Sequence, residues 1–150
     1  MSYQVVYSSV ASTPMQLDEL EDLRERAQDN NAEDGITGAL VYVDGFFLQI
    51  LEGPQERVDG LMRRIGRDLR HEDLTILQAG EVEGAAFTGW TMAYVSATPK
   101  QVADWAGLSS TKKLPDLWED MRQDRSRVTQ LSAGILAALN AEPKLPGSAG

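Results

Sequence analysis

The chain has 150 residues, 42% of them apolar, which is enough for one ordinary core and too short for two. With no cysteine and one histidine it can form neither a disulfide framework nor a cysteine metal site, and no metal centre is expected. A formal net charge of -9 argues against the broad basic face that a nucleic-acid backbone or an anionic membrane demands, so neither is an expected partner. The N-terminus MSYQVVYSSV lacks a basic, long-apolar leader, and no run is long enough to span a bilayer; a cytoplasmic protein is expected.

In chain order, residues 3 to 9 alternate as Tyr3, Val5, Tyr7 against Gln4, Val6, Ser8, the period of a strand. The next segment, STPMQLDELEDLRERAQDNN, spaces Leu17, Leu20, Leu23 and Ala27 as a helix does, with acids in its first turns where the dipole favours them. Strands follow near 36 to 43 and 46 to 52, joined by Asp44-Gly45, a dipeptide suited to a tight hairpin. Pro54 then opens a helix predicted to run to residue 70, with Val58, Leu61, Met62, Ile65 and Leu69 as its apolar stripe. TILQAGEVE and WTMAYVS read as two further strands.

The order is βαββαββ, which predicts an α+β, ferredoxin-like fold: one five-stranded mixed sheet with both helices on one face. The other face is left for residues 99 to 142. There Thr98-Pro99 opens a short helix closed by Gly107, Pro115 starts another, and Val128, Leu131, Ile135, Leu136 and Leu139 stripe a last one. The expected organisation is a domain over 1–98, a helical extension over 99–142 packed on the sheet, and a disordered Pro/Gly/Ser-rich tail over 143–150.

One residue is out of place. In FFLQILEGP, Phe46, Leu48 and Ile50 point to one side of the strand while Phe47, Gln49 and Leu51 point to the other, so both sides are apolar and Gln49 is buried. An amide there costs about 1–3 kcal/mol unless partners meet it. Tyr7 on the first strand, and Trp90 and Met92 on the fifth, converge on it if the sheet forms; two residues apart in a strand, Trp90 and Met92 are expected on one face.

The basic residues are also unevenly placed. Of the seven Lys and Arg in residues 1 to 98, five (Arg57, Arg63, Arg64, Arg67, Arg70) fall between 57 and 70, followed by His71. They serve either as a solvated helix face pairing with acids such as Glu56 and Asp68, or as a site for a small anion. Asn30 and Asn31 at the exit of the first helix, and Arg64, Arg67, Asp68 and His71 toward the exit of the second, bring amides and cations to one end of the groove between the helices. A planar, heteroatom-rich ligand there would pack on Leu23 and Ile65 and meet amides at its edge.

These residues carry a resemblance. VVYSS, NNAEDGITGALVY, FFLQILEGP, RIGRDLRH and FTGWTM together resemble a BLUF domain, a sensor of blue light using flavin, over residues 3 to about 98. The resemblance implies FAD or FMN bound without a covalent link, with Tyr7 as the photoactive tyrosine and Gln49 as the switching glutamine. It implies that Asn31 hydrogen-bonds the flavin ring with Asn30 beside it, that Leu23 and Ile65 flank the ring, and that Arg64, Asp68 and His71 make polar contacts on the ring and ribityl-phosphate side. Trp90 and Met92 match the family's signal-relay positions, while Ala27 stands where a polar residue is often found. The implied chemistry is transfer of an electron and a proton from Tyr7 through Gln49, whose amide both donates and accepts. A changed hydrogen-bond pattern at the flavin C4 carbonyl and N5 and a red-shifted spectrum then follow, with no net product.

The resemblance implies a sensor and not an enzyme. The segment after residue 98 is too short for a cyclase or phosphodiesterase, so the chain reads as a short, stand-alone BLUF protein acting through a separate protein partner or its own homo-oligomer. Two other readings share the fold. One is an acylphosphatase-like hydrolase, although YSSVASTP lacks a glycine-rich anion loop; the other is a light-independent association module.

Overall fold

The computed structural model describes residues 2–12, 18–19, 21–22, 25, 32–67, 71–84, 86–87, 90–109 and 112–141. Strands β1 (Ser2–Ala11), β2 (Thr37–Val43) and β3 (Phe46–Gly53) are followed by helix α1 (Gln55–Gly66), β4 (His71–Val82) and β5 (Ala93–Ser96). Helices α2 (Pro99–Ala106), α3 (Leu114–Gln123) and α4 (Arg125–Ala141) come next. The first predicted helix falls mostly outside the described residues; Asp18, Glu19, Glu21, Asp22 and Glu25 within it are helical.

The five strands form one sheet in the order β4-β1-β3-β2-β5. All neighbours are antiparallel except β2 and β5, which run parallel, so the sheet is mixed as the element order predicts. The β2–β3 hairpin turns through Asp44 (φ 48°) and Gly45 (φ 84°), the two successive positive φ values that let a two-residue turn follow the twist of its strands.

Both faces are covered. On one, Val6, Ala39, Val41, Leu48 and Ile50 pack against Val102, Leu117, Met121, Leu131 and Ile135 of the C-terminal helices. On the other, Val5, Tyr7, Leu40, Phe47 and Leu51 pack against Val58 of α1. The helices on the first face start and stop where local chemistry dictates. Thr98 caps α2 through a reciprocal bond pair with Gln101, and Gly107 ends it at φ 69°. Phe46 at the hairpin meets the Trp118 ring of α3 edge-on at 6.0 Å.

Three boundaries differ from the sequence expectation. Helix α1 ends at Gly66 rather than near 70, where the Arg67 N–H turns back to the Arg64 carbonyl at 3.2 Å. Strand β4 begins at His71 rather than Thr75, so His71 is a strand residue paired with Ala11 and not a helix-end residue. Its register against β1 shifts between Val6 and Tyr7 and again between Ser8 and Val10, with Asp73 at φ 53°. Each shift inserts an extra β4 residue and breaks the two-residue period by which a strand is recognised.

The third difference is at β5, which starts at Ala93 rather than Trp90. The backbone bends at 91 and 92, and Trp90 is tied to its surroundings by a turn bond from its N–H to the Phe87 carbonyl and a long-range bond from the Gly38 N–H of β2 to its own carbonyl, both 2.9 Å. Strand alternation does not govern this stretch. Trp90 accordingly joins the core beneath the C-terminal helices and Met92 the core on the α1 side, which corrects the expectation that they share a face.

Candidate functional site

Tyr7 and Gln49 are direct partners in the β1–β3 ladder. Their side chains therefore leave the sheet side by side on the α1 face, 3% and 7% exposed. The Tyr7 hydroxyl donates to Gln49 Oε1, and Gln49 Nε2 in turn donates to Met92 Sδ at 3.4 Å. The polar group that a buried Gln49 demanded is thus the Tyr7 hydroxyl, and Met92, just before β5, meets its amide nitrogen.

His71 stands beside the pair. Its ring lies 6.4 Å from those of both Tyr7 and Phe47, tilted to one and edge-on to the other. Its Nε2 is 2.7 Å from the Ile65 carbonyl and its Nδ1 2.7 Å from Ser9 Oγ. A backbone carbonyl only accepts, so Nε2 bears a proton, while Nδ1 is paired with the Ser9 hydroxyl. One imidazole thereby ties β4, β1 and the last turn of α1 together. Ile65 itself packs, half-buried, against the core on this face.

Arg64 lies farther out. It and Arg57 both pair with Asp34, at 3.2 and 3.3 Å, with the arginine side chains more than half exposed. Exposed pairs of this kind contribute about 0–1 kcal/mol, so they orient the guanidinium groups more than they stabilise the fold. The basic island is therefore partly an ion-paired helix face, and a shallow depression lined by Asp34, Glu56, Arg57, Gly60 and Arg64 opens beside it. Leu23, Asn30, Asn31 and Asp68 lie outside the described residues.

The face around Tyr7 and Gln49 suits a planar aromatic ligand. Of α1's apolar side chains only Val58 is fully buried, while Leu61, Met62 and Ile65 remain partly uncovered beside the pair. Apolar surface next to a donor-acceptor amide is what an isoalloxazine ring with a heteroatom edge requires. Among the described residues no cluster of His, Cys, Asp and Glu could hold a metal ion, and no helix is long and apolar enough to cross a membrane.

Sequence reasoning missed Ser9, Asp34 and Glu52. Glu52 is 1% exposed and accepts from Gln4 Nε2 (2.9 Å), Ala86 N (3.1 Å) and Phe87 N (2.8 Å). The signal was available: Glu52 shares its face with Phe46, Leu48 and Ile50, and an acid in that row calls for partners.

Comparison with known proteins agrees with this geometry. The family model for sensors of blue light using FAD matches residues 2–93. The beta subunit of a photoactivated adenylate cyclase from Euglena gracilis is 35% identical over 105 residues, a match covering 69% of this chain and 12% of that one. The chain thus spans only about an eighth of the length of such relatives. Among solved structures, the photo-activated state of BlsA superposes with a TM-score of 0.79 at 25% identity, covering 97% of this chain and 100% of that one. BlrP1 from Klebsiella pneumoniae, solved with FMN and cyclic diGMP, gives a TM-score of 0.63 at 25% identity over 91% of this chain and 35% of that one. From its mixed sheet, its buried tyrosine–glutamine pair and this family match, the chain belongs to the BLUF family of blue-light sensors that use flavin.

Proposed function

We propose that Tyr7 and Gln49 are the photoactive pair of this BLUF domain, with FAD or FMN held against the α1 face of the sheet and Met92 as the residue through which the pair is read out. The observation that carries this is the buried hydrogen bond from the Tyr7 hydroxyl to Gln49 Oε1, with Gln49 Nε2 turned to Met92. Bound flavin supplies the light absorption and accepts the electron; the protein tunes and reads it. A phenol loses its proton readily once oxidised, and the Tyr7–Gln49 bond is the path by which that proton leaves Oη and later returns.

Gln49 is suited to switch because an amide offers an acceptor at one end and two donors at the other. Turned over, it presents an N–H where it had an oxygen, and its contact with Met92 changes with it. Ile65 packs against the core around Tyr7, and the His71 ring lies 6.4 Å from that of Tyr7, which supports roles for them beside the flavin ring; Leu23, Asn30, Asn31 and Asp68 complete the proposed binding set. Arg64, engaged by Asp34, sits where it could exchange that carboxylate for a flavin phosphate.

The output runs from Met92 and Trp90 into β5 and the C-terminal helices. It ends in binding of a separate protein or a change in self-association, a bias of a few kcal/mol at most between two states. The test is the light-minus-dark absorption spectrum of the flavin-loaded chain beside its Tyr7→Phe variant. Wild type shows a reversible red shift and the variant none; an unaltered photocycle in the variant overturns the assignment.

A further inference from the structure

Glu52 has no part in the reading above, yet among the described residues it is the one charged-type side chain that is fully buried, at 1% exposure. It lies at the end of β3 in the row of Leu48 and Ile50, on the face beneath the C-terminal helices. A carboxylate there is tolerated only when donors meet both oxygens. Phe87 N donates to Oε1 at 2.8 Å; Gln4 Nε2 and Ala86 N donate to Oε2 at 2.9 and 3.1 Å.

Two of the three donors are backbone groups of the connection between β4 and β5. The bonding continues from there. The Phe87 carbonyl accepts from Trp90 N, and the Trp90 carbonyl accepts from Gly38 N, both at 2.9 Å. Two residues on, Met92 meets Gln49. Phe87 and Trp90 belong to the core under the C-terminal helices and Met92 to the core around Tyr7, so the carboxylate grips the chain just before it crosses from one face to the other.

We infer that Glu52 is a positioning residue of the photocycle: by clamping Ala86 and Phe87 it sets Met92, rather than Trp90, against Gln49, and ties a change at Gln49 to the core beneath the C-terminal helices. The inference rests on the reading of Tyr7 and Gln49 as the photoactive pair. A carboxylate suits the task because both of its oxygens accept, whereas an amide accepts at one end only. In Glu52→Gln, an amide oxygen in place of Oε1 leaves the Ala86 N–H facing an NH₂, and one in place of Oε2 leaves the Phe87 N–H so. At least one loop N–H is orphaned either way.

The test uses the full chain loaded with FAD. Recovery of the dark spectrum after a blue pulse changes at least about fivefold in Glu52→Gln, the low end for one buried donor left without its acceptor. Asp124→Ala, at the exposed start of α4 and outside this network, removes the bonds to Ser126, lowers the melting temperature and leaves recovery unchanged. In wild type, the Ala86 and Phe87 amides exchange slowly in the dark and faster under light, and this measurement decides the matter if Glu52→Gln does not fold. A wild type without any light response overturns the Tyr7–Gln49 reading and this role with it. A normal wild-type response, with unchanged recovery in Glu52→Gln or with exchange at Ala86 and Phe87 indifferent to light, overturns the Glu52 role alone.

Discussion

Gly38 is the position at which a single methyl group should do most harm. It pairs with Leu51 in the centre of the sheet at φ 157°, and a Cβ built there would stand 1.9 Å from the Ile50 carbonyl oxygen and 2.9 Å from its carbon. Those atoms are backbone, so no rotamer change relieves the contact; β2 must move away from β3. Overpacking of this kind costs about 3 kcal/mol at the severe end. Moving β2 also breaks the Gly38 N–H bond to the Trp90 carbonyl, worth about 1 kcal/mol. The alanine returns at most about 1 kcal/mol by restricting the unfolded chain. The net loss is about 3 kcal/mol, or about 6–12 °C in melting temperature for a domain of this size. Thermal unfolding of Gly38→Ala measures it. A melting temperature within about 2 °C of wild type would refute the close approach of β2 to β3 and, with it, the anchoring of Trp90.

Two further substitutions probe the C-terminal helices. In Gly134→Ala on α4, the new Cβ would lie 2.7–2.8 Å from the near atoms of the Trp105 side chain on α2, so the variant should melt lower although alanine favours a helix by about 1 kcal/mol; a higher melting temperature would show that Trp105 is not seated there. Asp124, just before α4, accepts from the Ser126 hydroxyl at 2.7 Å and the Ser126 N–H at 3.0 Å, and these bonds, the hydroxyl's first, hold its carboxyl below the ordinary range. A depressed carboxyl stabilises the fold above its unfolded value and loses that contribution as pH falls through the folded one. The stability gap between wild type and Asp124→Ala, followed by urea unfolding, should therefore hold at neutral pH and narrow below about pH 4; a gap that widens on acidification contradicts the assignment.

Much of the fold and the heart of the site were legible because the relevant physics is local. Strict alternation placed Tyr7 and Gln49 on compatible faces, Asp44-Gly45 fixed the hairpin that sets their register, and Thr98-Pro99 with Gly107 bounded α2 by capping alone. A polar residue in a strand apolar on both sides pointed to the site before any coordinates did. What was not legible depended on interruptions of the period. The two extra residues in β4 hid its first four positions, so His71 was placed on a helix rather than on the strand from which it reaches Ser9 and Ile65. The bend at 91 and 92 sent Trp90 and Met92 to opposite faces, where alternation put them on one. Glu52 was legible as an acid in an apolar row, but its partners were not: two of them are backbone N–H groups, which every residue has and no sequence pattern marks.

The central claim is that Gln49, held by Tyr7 and facing Met92, converts light absorbed by bound flavin into a changed hydrogen-bond pattern. Its most direct test is the absorption spectrum of the flavin-loaded chain before and after blue illumination, in wild type and in Gln49→Leu, which keeps a side chain of similar bulk and removes every donor and acceptor. The account predicts a red shift in wild type that decays in the dark and no shift in the variant. The same reversible shift in both would contradict it.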